Sequence, residues 1–385
     1  MCEAFAACGM DVTLVRPFYF ELAKIRPEQI FSFYGVEKNF TITTLPTLLS
    51  LSKPAPGQSS HRRIKIPGVG GATMLACTWF YLLGLLLRGR FASDTVIYSR
   101  NLNAAVIALR MRKLWLRGKP VHIFFEMHSF EQRPERFLQR VVMEVDGIVT
   151  ITRALKNDIA RKYRIDQDKI FSWPDSVREK RLAEPVPGKT VARKLLHIPA
   201  QYERIVLYTG QLLAGKGVDV LIRAAAEFDR HVLFLIVGGS QQDIHSLKKR
   251  TQADEMTNVQ FAGFVPPWQV VHYQAAADVL VLPNTPDSAI SDYTSPLKLF
   301  EYMAARRPIV ASNLPVLKEV LNDGENAVLV RPADPQALAE GIRRLLDDEV
   351  LARSVSEKAF ADVRHYTYEN RARRIIEFIS KNSQG

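Results

Sequence analysis

Residues 291–312 read SDYTSPLKLFEYMAARRPIVAS, and their types and spacing suit an anion-and-sugar site. Ser295 and Pro296 form a good helix opening, with a hydroxyl to cap the first turn and a proline where a missing N–H does no harm. The free N–H groups of Leu297 and Lys298 then face whatever lies before the helix, a natural position for a phosphate. Glu301 follows about one and a half turns in, on the side of Leu297. A carboxylate there can accept both hydroxyl protons of a ribose. The plainer alternative is a helix-surface glutamate, but its neighbours Phe300, Tyr302 and Met303 are apolar.

A second anion-holding device precedes it. Gly210-Gln211-Leu212-Leu213-Ala214-Gly215-Lys216-Gly217 joins an apolar strand to a helix, so the glycines permit close backbone approach and Lys216 offers a point charge. The glycine spacing is not that of a P-loop, and no Ser or Thr follows the lysine. Together the two devices make a diphosphate the expected ligand. Gly238 opens a glycine pair at the end of another apolar strand. Gly263-Phe264-Val265 follows a further strand and could present backbone groups and an aromatic face to a base. His128, in FEMHSF, lies where an open α/β sheet places ligand contacts, against the plainer reading of a structural histidine. The sequence shows no metal-ligand cluster, no Ser-His-Asp ordering and no acidic pair spaced for metal-bridged phosphate chemistry. The expected chemistry is electrostatic stabilisation of a phosphate leaving group, with no cofactor and no metal.

These residues need strands and helices in alternation, and the chain supplies them twice. Apolar runs such as Val121 to Phe125, Ile205 to Tyr208, Val232 to Val237 and Asp278 to Leu282 alternate with helical stretches, the pattern of parallel α/β sheets. The alternation fades between Val177 and Pro199, which sets a domain boundary and predicts two Rossmann-like domains with a cleft between them. The expected division is 1–180, 200–362, and a C-terminal helix over 363–385 that returns toward the first domain. Before the strand at Asp11 to Val15 there is only a short helix closed by Gly9, whereas a doubly wound domain opens with a strand and a glycine turn. Either a first βα unit is missing, or the start falls at an internal methionine, or the fold begins with a helix.

At 385 residues with 47% hydrophobic and 24% charged, the chain can bury two cores. Cys2, Cys8 and Cys77 have neither redox nor metal spacing and read as reduced, which suits a cytoplasmic protein, and no secretory signal is visible. The net charge of +12 calls for an anionic partner. The basic residues are dispersed with no base-stacking motif, against nucleic acid. Ser50 to Gly71 reads as a basic loop, and Met74 to Leu87 as an apolar helix too short to span a membrane comfortably. Each has a plain reading, a solvated loop and a buried helix. Each also suits an anionic membrane surface.

LYTGQLLAGKGVDVLIRAA, LFLIVGG, VQFAGFVP, ADVLVLPN and SPLKLFEYMAARRPIVAS with LPVLKEVLNDGENAVLV resemble the nucleotide-sugar half of the retaining, GT-B-type family 4 glycosyltransferases. The likeness covers Ile205 to Leu346; FEMHS, GIVTITRALKNDI and PDSV resemble the family more loosely. It implies a GT-B fold, two Rossmann-like doubly wound domains facing across a cleft, with the N-terminal domain lacking its first strand. It implies transfer of a sugar from a nucleoside diphosphate donor to a glycan, lipid-linked or small-molecule acceptor, with retention and without a metal. Lys216 then corresponds to the diphosphate lysine, Glu301 to the ribose carboxylate, Ser295 to Lys298 to the phosphate-facing helix start, and His128 to the histidine contacting the transferred sugar. Gly210, Gln211, Gly238, Phe264, Val265, Asp292, Tyr293, Pro296 and Leu297 complete the expected donor site. Two positions depart from the family: Tyr293 stands for the first glutamate of its pair, with Asp292 adjacent, and Gln211 stands for an arginine. These departures favour, as an alternative, a catalytically impaired nucleotide-sugar-binding homologue; a sugar-nucleotide epimerase is a further one. The expected location is the cytoplasm, with peripheral attachment at the inner membrane face.

Overall fold

The computed structural model describes residues 1–17, 27–45, 69–91, 95–116, 118–130, 135–251, 256–286 and 292–383. The basic loop expected at Ser50 to Gly71 lies outside them, except for its last three residues. The chain divides into two compact units: residues 1–150, 156–172 and 372–385, and residues 151–155 and 173–371.

The first unit carries α1 (Cys2–Ala7), β1 (Thr13–Pro17), α2 (Pro27–Tyr34), β2 (Thr41–Leu45), α3 (Val69–Leu87), β3 (Thr95–Ser99), α4 (Leu102–Leu114), β4 (Val121–Met127), α5 (Glu135–Glu144) and β5 (Gly147–Thr150). Most of α6 (Arg153–Tyr163) and all of β6 (Ile170–Ser172) belong to it too. Among the described residues its strands form two parallel sheets, β1 with β2 and the four-stranded β3-β4-β5-β6. Residues 372–383 pack on the second sheet: Phe378 stacks on Phe171 and meets Phe124 edge-on, with Ile375 and Ile379 beside it. A Cβ at Gly147 would stand 2.6 Å from the Phe124 ring, so only glycine fits under this aromatic layer.

The second unit opens with α7 (Glu179–Ala183) and α8 (Lys189–Leu195). It continues through β7 (Arg204–Thr209), α9 (Val218–Ala225), β8 (Val232–Val237), α10 (Gln241–Thr251), β9 (Val259–Gly263), α11 (Pro267–Ala276) and β10 (Val279–Leu282). Next come α12 (Leu297–Ala304), β11 (Ile309–Ser312), β12 (Val328–Val330), α13 (Pro335–Asp347), α14 (Glu349–Val363) and the start of α15 (Tyr368–Ser383). Its strands form one parallel sheet in the order β12-β11-β10-β7-β8-β9. Strands buried on both faces need unbroken apolar runs, and Val232 to Val237 and Val279 to Leu282 are buried throughout. Chain direction across the sheet reverses between β7 and β10. That is the topological switch point, where open α/β sheets bind ligands beyond the carboxyl ends of their strands.

Asp278, at the foot of β10, ties α8 to this sheet. Its carboxylate accepts from Lys189 Nζ and the Ile205 N–H at 2.6 Å each, and from Arg193. In place of one helix over 363–385, α14 ends at Val363 and α15 begins at Tyr368, and between them Val177 pairs with Thr367. The stretch from Val177 to Pro199, where the periodicity fades, holds α7 and α8 within the second unit.

Candidate nucleotide-sugar site

In the second unit the expected residues converge at the switch point. β7 ends in Gly210 at φ +134°, and β8 ends in Gly238 at φ +115°, both in the left-handed range that favours glycine. The two turns interlock: the Gly210 N–H donates to Val237 O at 2.8 Å and the Gly238 N–H to Gly263 O at 2.7 Å. A Cβ on Gly238 would lie 2.2 Å from Gly210 O, and one on Gly217 would lie 1.7 Å from Pro283 O. The Thr285 N–H donates to Gly215 O, fastening the β7–α9 loop to the segment after β10. This close backbone packing carries Lys216 toward the start of α12.

The opening of α12 differs from the expectation in one respect. Ser295 does not cap the helix: its Oγ accepts the Asp175 N–H at 2.8 Å, and the residue before the first helical turn is Pro296. The Leu299 N–H closes the first turn on Pro296 O at 2.9 Å, so the Leu297 and Lys298 N–H groups precede the helix's own ladder. Further along, the Tyr302 hydroxyl accepts the Thr209 N–H at 2.7 Å and pins α12 to the end of β7. Burial holds that hydroxyl protonated, far above the ordinary tyrosine range.

Glu301 and Lys298 lie within this packing. Burial raises the Glu301 carboxyl above the ordinary glutamate range, opposed by Arg181, Lys298 and Arg178 in that order. Burial pushes Lys298 well below the ordinary lysine range, with Lys216 adding repulsion and Glu301 offsetting part. Lys216, half-buried, is lowered by burial. Lys298 Nζ lies 3.8 Å from the centre of the Tyr208 ring, and the Tyr208 hydroxyl donates to Gln211 O at 2.7 Å. Phe264 projects with 76% of its surface exposed, while Val265 packs on the core behind it, an arrangement that leaves an aromatic face available for stacking. Gln211, Asp292 and Leu297 are exposed, and Tyr293 is half-buried. A cavity of about 320 Å³ flanks the loop on another side, lined by Leu213, Asp219, Arg223, Arg250 and Ala333, with none of Lys216, Lys298 or Glu301 on its wall.

Several contributors escape the sequence reading. Arg181 of α7 faces Glu301 from a segment with faded periodicity, and both its terminal nitrogens are sealed from solvent without a hydrogen-bond partner among the described residues. Tyr208 sits inside an apolar strand, where its hydroxyl is the sole outward signal of a second role.

In the first unit His128 lies just past the end of β4, as expected. Its Nε2 stands 2.7 Å from Glu126 Oε1. Arg100 reaches both, at 3.1 Å from Glu126, and the Tyr98 hydroxyl donates to the other carboxylate oxygen at 2.6 Å. Glu126 is buried, so its charge rests on these partners. Sequence reading singled out His128 without Glu126, because a carboxylate within an apolar strand shows its partner only once β3 lies alongside.

Comparison with known proteins places this geometry. The family profile described as glycosyl transferases group 1 matches residues 203–348. A D-inositol 3-phosphate glycosyltransferase of Xylanimonas cellulosilytica is 26% identical over 247 residues, which cover 62% of this chain and 58% of that relative. A protein of the same name from Corynebacterium efficiens is 25% identical over 380 residues, covering 90% and 86%. The fold superposes on a sucrose-phosphate synthase from Thermosynechococcus elongatus with a TM-score of 0.68 at 18% identity, covering 96% of this chain and 98% of that one. It superposes equally on HepE of Anabaena, solved in complex with UDP, at 14% identity and 97% and 100% coverage. The chain therefore has the GT-B fold, with two Rossmann-like units, and its residues 203–348 match the glycosyl transferases group 1 profile.

Proposed function

We propose that this protein is a glycosyltransferase that moves a sugar from a nucleoside diphosphate to an acceptor with retention of configuration, without a metal. The observation that carries it is the meeting of Lys216, Lys298 and Glu301 at the switch point between β7 and β10, fixed by glycines that admit no side chain. In this reading Glu301 holds the ribose, and Lys216 with the start of α12 holds the diphosphate. Phe264 offers a face to the base, and His128, braced by Glu126, contacts the transferred sugar. The bond from the sugar's anomeric carbon to the phosphate oxygen breaks as the acceptor oxygen attacks on the same face. The acceptor's proton passes to that phosphate oxygen, and the cations stabilise the charge that develops on the leaving diphosphate.

Retention, indifference to chelators and the range of acceptors belong to this proposal. A thermal-shift panel of nucleoside diphosphates and their sugars tests the donor class. Turnover of the stabilising donor with EDTA present, and the anomeric configuration of the product, test the reaction. Stabilisation by a nucleotide without turnover would favour the impaired homologue, and interconversion of donors without an acceptor would favour the epimerase.

A membrane-associated acceptor gains support from the first unit. Phe80 and Leu87 of α3 and Leu114 and Trp115 at the end of α4 are exposed, and Arg88, Arg90, Arg110 and Lys113 nearby are exposed too. Apolar and basic side chains together suit an anionic bilayer surface. Among the described residues no helix is long and apolar enough to cross a membrane. Flotation with anionic vesicles tests this part, and failure to float would remove it.

A further inference from the structure

The ammonium of Lys298 is sealed from solvent although part of its stem is exposed, and among the described residues it has no hydrogen-bond partner. It lies over the Tyr208 ring and against Gly210, where an added Cβ would stand 2.9 Å from Nζ. An aromatic face offsets only part of the cost of taking an ammonium out of water. The charged groups around it do not complete the balance. Lys216, from the β7–α9 loop, repels it. Glu301, on its own helix, attracts it, but Arg181 and Arg178 face the same carboxylate. Three cations thus face the Glu301 carboxylate, with Glu184 beside Arg181, and among the described residues Glu301 is the one carboxylate that offsets the Lys298 charge.

We propose that Lys298 Nζ joins Lys216 in pairing with the donor's phosphate, and that the nucleotide brings a proton into the site when it binds. This inference rests on the donor-site reading given above and adds a side-chain charge to the backbone N–H groups of the helix start. In the empty site burial and Lys216 favour the neutral amine. An arriving phosphate supplies a close counter-charge and favours the ammonium. The step is balanced by one solvent proton added to the amine nitrogen, with no covalent bond to the ligand. The empty site thereby avoids holding an unpaired buried charge, and affinity for the diphosphate becomes dependent on pH.

Calorimetric titration of the intact chain tests this, with UDP, GDP and inorganic pyrophosphate as separate probes. It is done in two buffers of different ionisation enthalpy, between about pH 7 and 9, above the second ionisation of phosphate. The expected result is net proton uptake on binding. In Lys298→Met the uptake vanishes and affinity falls on the order of 30-fold or more. In Lys298→Arg the guanidinium stays charged, so binding persists in part without uptake. Lys298→Met that binds as tightly as the parent, with the same uptake, would overturn the inference while leaving the nucleotide reading in place. Pyrophosphate binding with uptake that depends on Lys298, but no nucleotide binding, would support the role of Lys298 and overturn the nucleotide reading. Binding of none of the probes would overturn both.

Discussion

Ser295 Oγ accepts the backbone N–H of Asp175 at 2.8 Å, so the hydroxyl at the start of α12 holds the Trp173–Ser176 turn in place of the helix end. The Asp175 carboxylate in turn faces the fully buried Arg371 at 3.4 Å. The N-terminal end of α12 is therefore anchored from outside the helix. Ser295→Ala leaves a buried N–H without its acceptor, at a cost of about 1–3 kcal/mol. Thermal denaturation is expected to show the loss, with weaker nucleotide binding as the start of α12 shifts. Unchanged stability would mean that this contact does not hold the turn.

The interlocked loops make a sharper steric prediction. In Gly217→Ala the new Cβ meets Pro283 O at 1.7 Å, at a residue whose φ is +68°. Strain and collision together are expected to cost about 2 kcal/mol or more. Because Lys216 is adjacent, nucleotide affinity falls further than it does in a surface substitution of equal stability cost. Gly188→Ala, where nothing lies within 4 Å of the added atom, serves as the control and is expected to leave nucleotide binding unchanged.

Asp278 gives a prediction about stability away from the ligand. Its buried carboxylate joins two cations of α8 and the Ile205 N–H, so Asp278→Ala leaves the strand donor without its acceptor and Arg193 with only the Ala276 and Glu203 carbonyls. Breaking such a pair from one side costs about 3–5 kcal/mol when it is fully buried, and Lys189 is part-exposed, so the expected value is about 3 kcal/mol. Urea denaturation measures it.

The parallel strands and the donor loop were legible in the sequence because both depend on local pattern. Val232 to Val237 is an apolar run closed by two glycines, and a strand buried on both faces has few other ways to be written. Lys216 was legible through the glycines on either side of it, and Glu301 as a carboxylate among apolar neighbours of α12. The partners they meet were not. Arg181 approaches Glu301 from a short helix in a charged, proline-rich stretch, and nothing local marks it as inward-facing. Ser295 shows the converse: its local pattern is that of a cap, and a backbone N–H 120 positions away in sequence claims it instead. The start of α15 at Tyr368 lies a few residues after the expected 363 because the pairing of Thr367 with Val177 is likewise a long-range contact.

Glu301 gives the pH prediction. Burial raises its carboxyl, so as pH falls it takes up a proton before an ordinary glutamate would, and in the proposed role a neutral carboxyl is expected to hold ribose hydroxyls less firmly. The sign for folding follows from the same shift. The native state binds the proton more tightly than the unfolded chain, so this group's contribution is present below the ordinary glutamate pKa. It is lost as pH rises through the raised value. The acid limb of kcat/KM against pH is therefore expected above the ordinary glutamate range, and Glu301→Gln removes that limb. An acid limb unchanged in Glu301→Gln would assign it to another group.

In the proposed site Lys216 and Glu301 act together on a nucleoside diphosphate sugar, and donor turnover reads this most directly. With the donor found by the thermal-shift panel, transfer or hydrolysis by Lys216→Ala and by Glu301→Ala is expected to fall by orders of magnitude, with both variants folded. Near-parental rates in both variants would contradict the assignment of the site.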